Sequence, residues 1–148
     1  MREAEYRYVE RVLYHHKDTE EKCAELAAEI DAMRAKGDAR GQSYNACAGV
    51  HGGTSDPVAR YVEEIMRQEK RLRRLARRVE AVEMLREDLR NGEVITVTSS
   101  RNLLRILEDY YLAGSTVMEF LRITRWVRST FYVRRRELVM IAGEYLRA

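Results

Sequence analysis

Stepping by alternating threes and fours from Val58 picks out Val58, Tyr61, Ile65, Gln68, Leu72, Leu75, Val79, Val82, Arg86 and Leu89, all but two of them apolar. This is the heptad seam of an α-helix, and at ~1.5 Å per residue it runs about 48 Å. A core of this chain length is shorter than that, so the seam needs a second helix along it. The same spacing supplies one at Val9, Val12, His16, Thr19, Cys23, Leu26, Ile30 and Met33. The two stripes predict a long antiparallel, coiled-coil-like hairpin, and the same seam would equally pair two copies of the chain into a homodimer or higher oligomer.

Punctuation sets the expected boundaries. The first helix spans about 2–36, ending where Lys36-Gly37-Asp38 offers a cation and then a glycine suited to positive φ. Residues 37–55 hold Gly37, Gly41, Gly49, Gly52 and Gly53 and read as a loop. Asp56 suits an N-cap and Pro57 a first helical position, so the second helix covers 57–91 and stops at Asn91-Gly92. Val94, Ile95 and Val97 give 93–98 the look of an extended linker after the 1–92 hairpin. A third helix follows from a cap at Ser99 or Ser100 through Leu112, with Gly114 ending it. A short helix from about Thr116 to Ile123 and a last one from about Val127 to Leu146 complete a 99–148 domain, with Phe131, Leu138, Ile141, Ala142 and Tyr145 facing inward. One proline in 148 residues is too little punctuation for a sandwich or barrel, and the fold class is all-α.

Charge is uneven along the chain. Residues 1–50 carry 8 basic and 10 acidic side chains, 51–98 carry 10 and 9, and 99–148 carry 9 and 5, so the excess of the +3 total sits in the last third. No apolar run reaches the ~18 residues of a membrane span, and Met1-Arg-Glu-Ala-Glu-Tyr6 has no secretory character, so the expectation is a cytoplasmic protein with no membrane partner.

The last third also has an order that carries chemistry. A helix, a glycine turn, a short helix, a tight turn and a basic helix form the pattern of a helix-turn-helix unit, whose second helix enters the major groove of double-stranded DNA. At 100° per residue Arg128, Ser129, Tyr132 and Arg136 fall away from Phe131 and Leu138 and are candidates for base edges, with Thr130 beside Ser129 in the opening turn. Arg134 and Arg135 flank that face as candidate phosphate contacts.

Gly52-Gly53-Thr54-Ser55-Asp56-Pro57, the charged heptad helix after it, and Ser129-Thr130-Phe131-Tyr132-Val133-Arg134-Arg135-Arg136-Glu137-Leu138 resemble the RinA/ArpU-type transcriptional regulators of phages of Gram-positive bacteria, over most of residues 6–148. In that family the Ser-Thr-Phe-Tyr and arginine run closes a helix-turn-helix similar to region four of primary sigma factors. The resemblance implies a phage or prophage late-gene activator in the host cytoplasm, with promoter DNA and RNA polymerase as partners. One stretch departs from it: the family's turn has leucine-glycine and then an aliphatic residue, whereas this chain has Thr124-Arg125-Trp126.

Other sites read more blandly. His15, His16, Cys23, Cys47 and His51 include no Cys-x-x-Cys pair, so no metal is expected. Gly49–Ser55 lacks the lysine of a phosphate loop, and no cofactor is expected. No nucleophile-base-acid set stands out, and Glu63, Glu64, Glu69 and Glu80 occupy helix-surface positions, so the chain does not read as an enzyme. The alternatives to a DNA-binding regulator are a helical adaptor or polymerase-docking protein without DNA binding, and the small DNA-recognition subunit of a phage packaging motor.

Overall fold

The computed structural model describes residues 1–45 and 57–148, of which 38–45 by their backbone alone. Among the described residues every regular element is helical. The order is α1 (Glu3–Tyr14), α2 (His16–Asn45), α3 (Pro57–Asn91), α4 (Ser100–Arg105), continued by a π-helical stretch Ile106–Leu112, then α5 (Val117–Thr124) and α6 (Arg128–Arg147). None of these helices is long and apolar enough to cross a membrane.

The chain divides into two compact units, one made of Met1–Thr19 and Arg77–Ala148, the other of Glu20–Ala76. This differs from a division after residue 92. Val9, Val12 and Leu13 of α1 and Val82, Leu85 and Leu89 of α3 share one buried cluster with Leu103, Ile106, Leu107, Phe120, Phe131 and Leu138. The ends of the two long helical segments thus supply two walls of the C-terminal core.

In the Glu20–Ala76 unit α2 and α3 run antiparallel. The Tyr61 hydroxyl donates to the Met33 carbonyl and Arg34 pairs with Glu69, while further along Lys22, Glu25, Leu26 and Glu29 line one hollow with Arg71 and Leu75. The first helix differs from the expected 2–36 in two places. It is interrupted at His15 (φ −99°, ψ 16°), where Thr19 Oγ1 donates to the His15 carbonyl at 2.9 Å, and it continues past Gly37 to Asn45. Gly37 is a packing residue: a Cβ built there would stand 2.7 Å from Cε1 of Tyr61. The rest of the expected glycine loop, including the Asp56 cap, the Gly49–Ser55 stretch, Cys47 and His51, lies outside the described residues.

Around the core of the larger unit the local signals act as their chemistry requires. Gly92 (φ +69°) and Gly114 (φ +71°) take the left-handed conformation after their helices. The Ser99 side chain accepts from the Asn102 N–H at 3.3 Å, and Thr116 and Glu119 cap α5 reciprocally. In the π-helical stretch Ala113 N–H reaches Glu108 O at 3.0 Å and Ser115 N–H reaches Tyr110 O at 3.1 Å. The widened turns let the adjacent Tyr110 and Tyr111 both be buried. Their rings meet Tyr14 edge-on, with centroids 5.7 and 4.8 Å away. Burial, and then a hydrogen bond with Tyr110, pushes the Tyr14 phenol far above its ordinary pKa.

Candidate nucleic-acid interface

α5 and α6 are joined by a three-residue turn whose geometry rests on Arg125, the one non-glycine residue with positive φ (58°) among those described. The Arg125 N–H closes on the Leu121 carbonyl at 2.8 Å, and the Trp126 N–H bonds Thr124 Oγ1 at 3.3 Å. Trp126 then packs edge-on against Phe120, ring centroids 5.3 Å apart and planes at 85°. Phe120 stands 5.2 Å from the fully buried Phe131. The bulky indole therefore closes the turn from the core side and does not project across the start of α6.

That start is open. Val127 precedes α6 with extended backbone and no side-chain cap, so the first N–H groups of the helix have no side-chain acceptor at the cap position. Arg128, Ser129 and Tyr132 are exposed and Thr130 is half-buried. Arg128 lies over α5, its Nη2 3.2 Å from Met118 Sδ. Arg134 places its guanidinium over the Trp126 ring, 4.4 Å from the centroid, a stacking that limits its rotamers. Arg136 is exposed two turns further along.

Arg135, expected to flank that face, is held elsewhere. Its side chain is only 21% exposed and turns toward α1, with Nε 3.7 Å from Glu10 Oε1. Glu10 also accepts from the Tyr111 hydroxyl at 2.9 Å. Burial first and the Glu10 charge second hold the Tyr111 phenol strongly protonated. The guanidinium covers the Tyr132 and Phe131 rings at 5.0 and 5.7 Å, and with Tyr6 it lines an open cleft of about 460 Å³ between α1 and α6. Arg135 thus fastens α6 to α1. Helical phase alone cannot reveal this, because the acid that draws Arg135 aside lies in α1, far away in sequence.

The structure adds two side chains that sequence phase overlooked. Arg122 and Arg125, at the end of α5 and in the turn, are exposed next to Ile123 and Val127. Their sign was legible: residues 116–136 contain six arginines and the single acid Glu119. Among the described residues none of Arg122, Arg125, Arg128, Arg134 and Arg136 forms an ion pair, a state they share with arginines such as Arg60, Arg73 and Arg74, while Arg7, Arg67, Arg86, Arg90 and Arg147 are paired. An arrangement of unneutralised guanidiniums, hydroxyls and free helix N–H groups on one turn is suited to a polyanion. Compared with family models, curated proteins and solved structures, the chain matches none.

Proposed function

We propose that this chain is a sequence-specific DNA-binding transcriptional regulator in which α5 and α6 form a helix-turn-helix and the first turns of α6 enter the major groove. The observation that carries the reading is the gathering of arginines at and beside the α5–α6 turn with no intramolecular acid, in a stretch, 116–136, whose single acid is Glu119. Leaving guanidiniums unpaired around one turn favours phosphate, and a helix opening without a side-chain cap leaves N–H groups for the same partner.

Roles follow from position. Arg128, Ser129 and Tyr132 face outward at the start of α6 and reach base edges. Arg122, Arg125 and Arg134 take phosphates, Arg134 held ready by its stacking on Trp126. Thr130 supports from the edge of the first turn. The resemblance noted above extends the proposal to late promoters of phages or prophages, RNA polymerase as a second partner, and two copies reading paired half-sites.

Selection from a random duplex pool, followed by fluorescence-anisotropy titration, tests this. The full chain is expected to enrich a defined sequence. Arg128→Ala or Tyr132→Ala should cost about 1–3 kcal/mol on that sequence and little on unrelated duplexes, while Arg134→Ala weakens both alike. Enrichment of nothing, or variants that bind as the parent does, would sink the reading and favour a protein partner at the exposed Met118, Ile123 and Val127.

A further inference from the structure

Glu137, on α6, accepts from the N–H groups of Val97 at 2.6 Å and Thr98 at 3.1 Å, so the 93–98 segment is tied to that helix. Its side chains then divide. Val94 packs on the core, whereas Ile95 and Val97 are 100% exposed, an unusual state for β-branched residues on an ordered segment. They line an apolar groove of about 590 Å³ together with Val133 (69% exposed), Met140 (46%) and Ile141. Arg136 and Glu144 rim it, and among the described residues neither forms an ion pair.

The spacing of the rim says what covers this face. Arg136, Met140 and Glu144 stand on one i±4 ridge of α6, with Met140 midway between a cation and an anion. A two-fold axis through Met140 brings a second α6 antiparallel to the first. It sets Met140 against its own copy, and each Arg136 opposite Glu144 of the second copy. Ile95 and Val97, which line the groove, share one patch with the exposed Val133 and Met140, and an isologous contact buries that patch on both copies at once.

We propose that this groove is the interface between two copies of the chain, an α6-to-α6 dimer flanked by the two 93–98 segments. It extends the two-copy element of the functional reading and does not rest on duplex binding. It also moves the dimer contact from the heptad helices to the C-terminal unit.

Sedimentation of the full chain without DNA tests it. The wild type is expected to be a dimer at micromolar concentration. Ile95→Asp with Val97→Asp should be monomeric with an unchanged circular dichroism spectrum, because within one chain both side chains are exposed, and its melting temperature should lose the dependence on protein concentration that a dimer shows. Arg136→Glu alone and Glu144→Arg alone should each weaken the dimer at least about tenfold by setting like charges together. The two charge reversals combined should restore it. A monomeric wild type, a dimer indifferent to the aspartate pair, or a failure of the double reversal to recover association would each overturn the proposal. Recovery by the double reversal supports it even if the aspartate variant fails to fold.

Discussion

At the scale of single residues, Arg125 carries the clearest tension between stability and use. An L-residue in the left-handed region costs about 1–2 kcal/mol, part of which glycine regains despite its larger unfolded-state entropy. Arg125→Gly is therefore expected to stabilise the fold by roughly 0.5–1 kcal/mol, read as a melting temperature higher by a few degrees. If the guanidinium meets phosphate as proposed, the same variant binds duplexes more weakly; a variant that melts higher and binds equally well would remove Arg125 from the interface. The tyrosines set a second expectation. Burial, then the hydrogen bond its hydroxyl donates to Asp88 at 2.5 Å, pushes the Tyr145 phenol up to about 12. Because the folded value lies above the unfolded value of ~10, this contribution is complete below pH 10 and disappears as pH rises through 12. Tyr14 and Tyr111 shift in the same direction. Alkaline unfolding followed by circular dichroism should coincide with phenolate absorbance between about pH 10 and 12, and Tyr145→Phe should narrow its stability deficit over that interval.

Among elements, two contacts decide how segments hold. Glu137 is the strap of the 93–98 segment, and Glu137→Gln weakens charge-assisted bonds to two N–H groups, so exchange at the Val97 and Thr98 amides should accelerate while that at Leu138 and Val139 does not. Gly37 poses opposing effects: alanine adds about 1 kcal/mol of helix propensity but drives a Cβ into the Tyr61 ring, which is tied by its hydroxyl to Met33. Overpacking of that kind costs about 1–3 kcal/mol, so Gly37→Ala should lower stability in denaturant, and Gly37→Ala with Tyr61→Ala should lose less than the sum. These two residues also show where sequence signals carry and where they stop. The heptad stripes named the inward faces correctly, from Val9 through Ile30 and from Val58 through Leu89. Gly92, Gly114, Ser99, Thr116 and Pro57 marked helix ends because each has a local reason to sit there. Gly37 carried the same local sign for a different purpose, close approach of a distant ring. The interruption at His15 has neither glycine nor proline to signal it, and Val139 and Gly143 of α6 are buried because α1 lies against that helix, a neighbour that periodicity cannot name. On the candidate interface, phase placed Arg128, Ser129 and Tyr132 outward and missed the turn of Arg135 toward Glu10 for the same reason.

For the molecule as a whole the deciding quantity is where charge sits, since a net +3 spread evenly would neither steer nor hold a polyanion. Residues 116–136 alone sum to +5, six arginines less Glu119, so the remainder of the chain sums to −2. On the proposed reading, attraction for a duplex concentrates on residues 116–136. Each phosphate neutralised there releases counterions, and log K falls with log salt by about 0.9 per contact. Replacing Arg122, Arg125 and Arg134 by glutamine should thus lower the magnitude of the slope by roughly 2.7 and cost most at low salt. The control removes the same charge at Arg60, Arg73 and Arg74, exposed side chains of the Glu20–Ala76 unit, by the same substitution. Overall charge then changes equally in the two triple variants, and only position differs. Equal losses of slope in both would mean that the chain binds DNA as a diffuse cation; a loss confined to the first ties binding to the Arg125 turn.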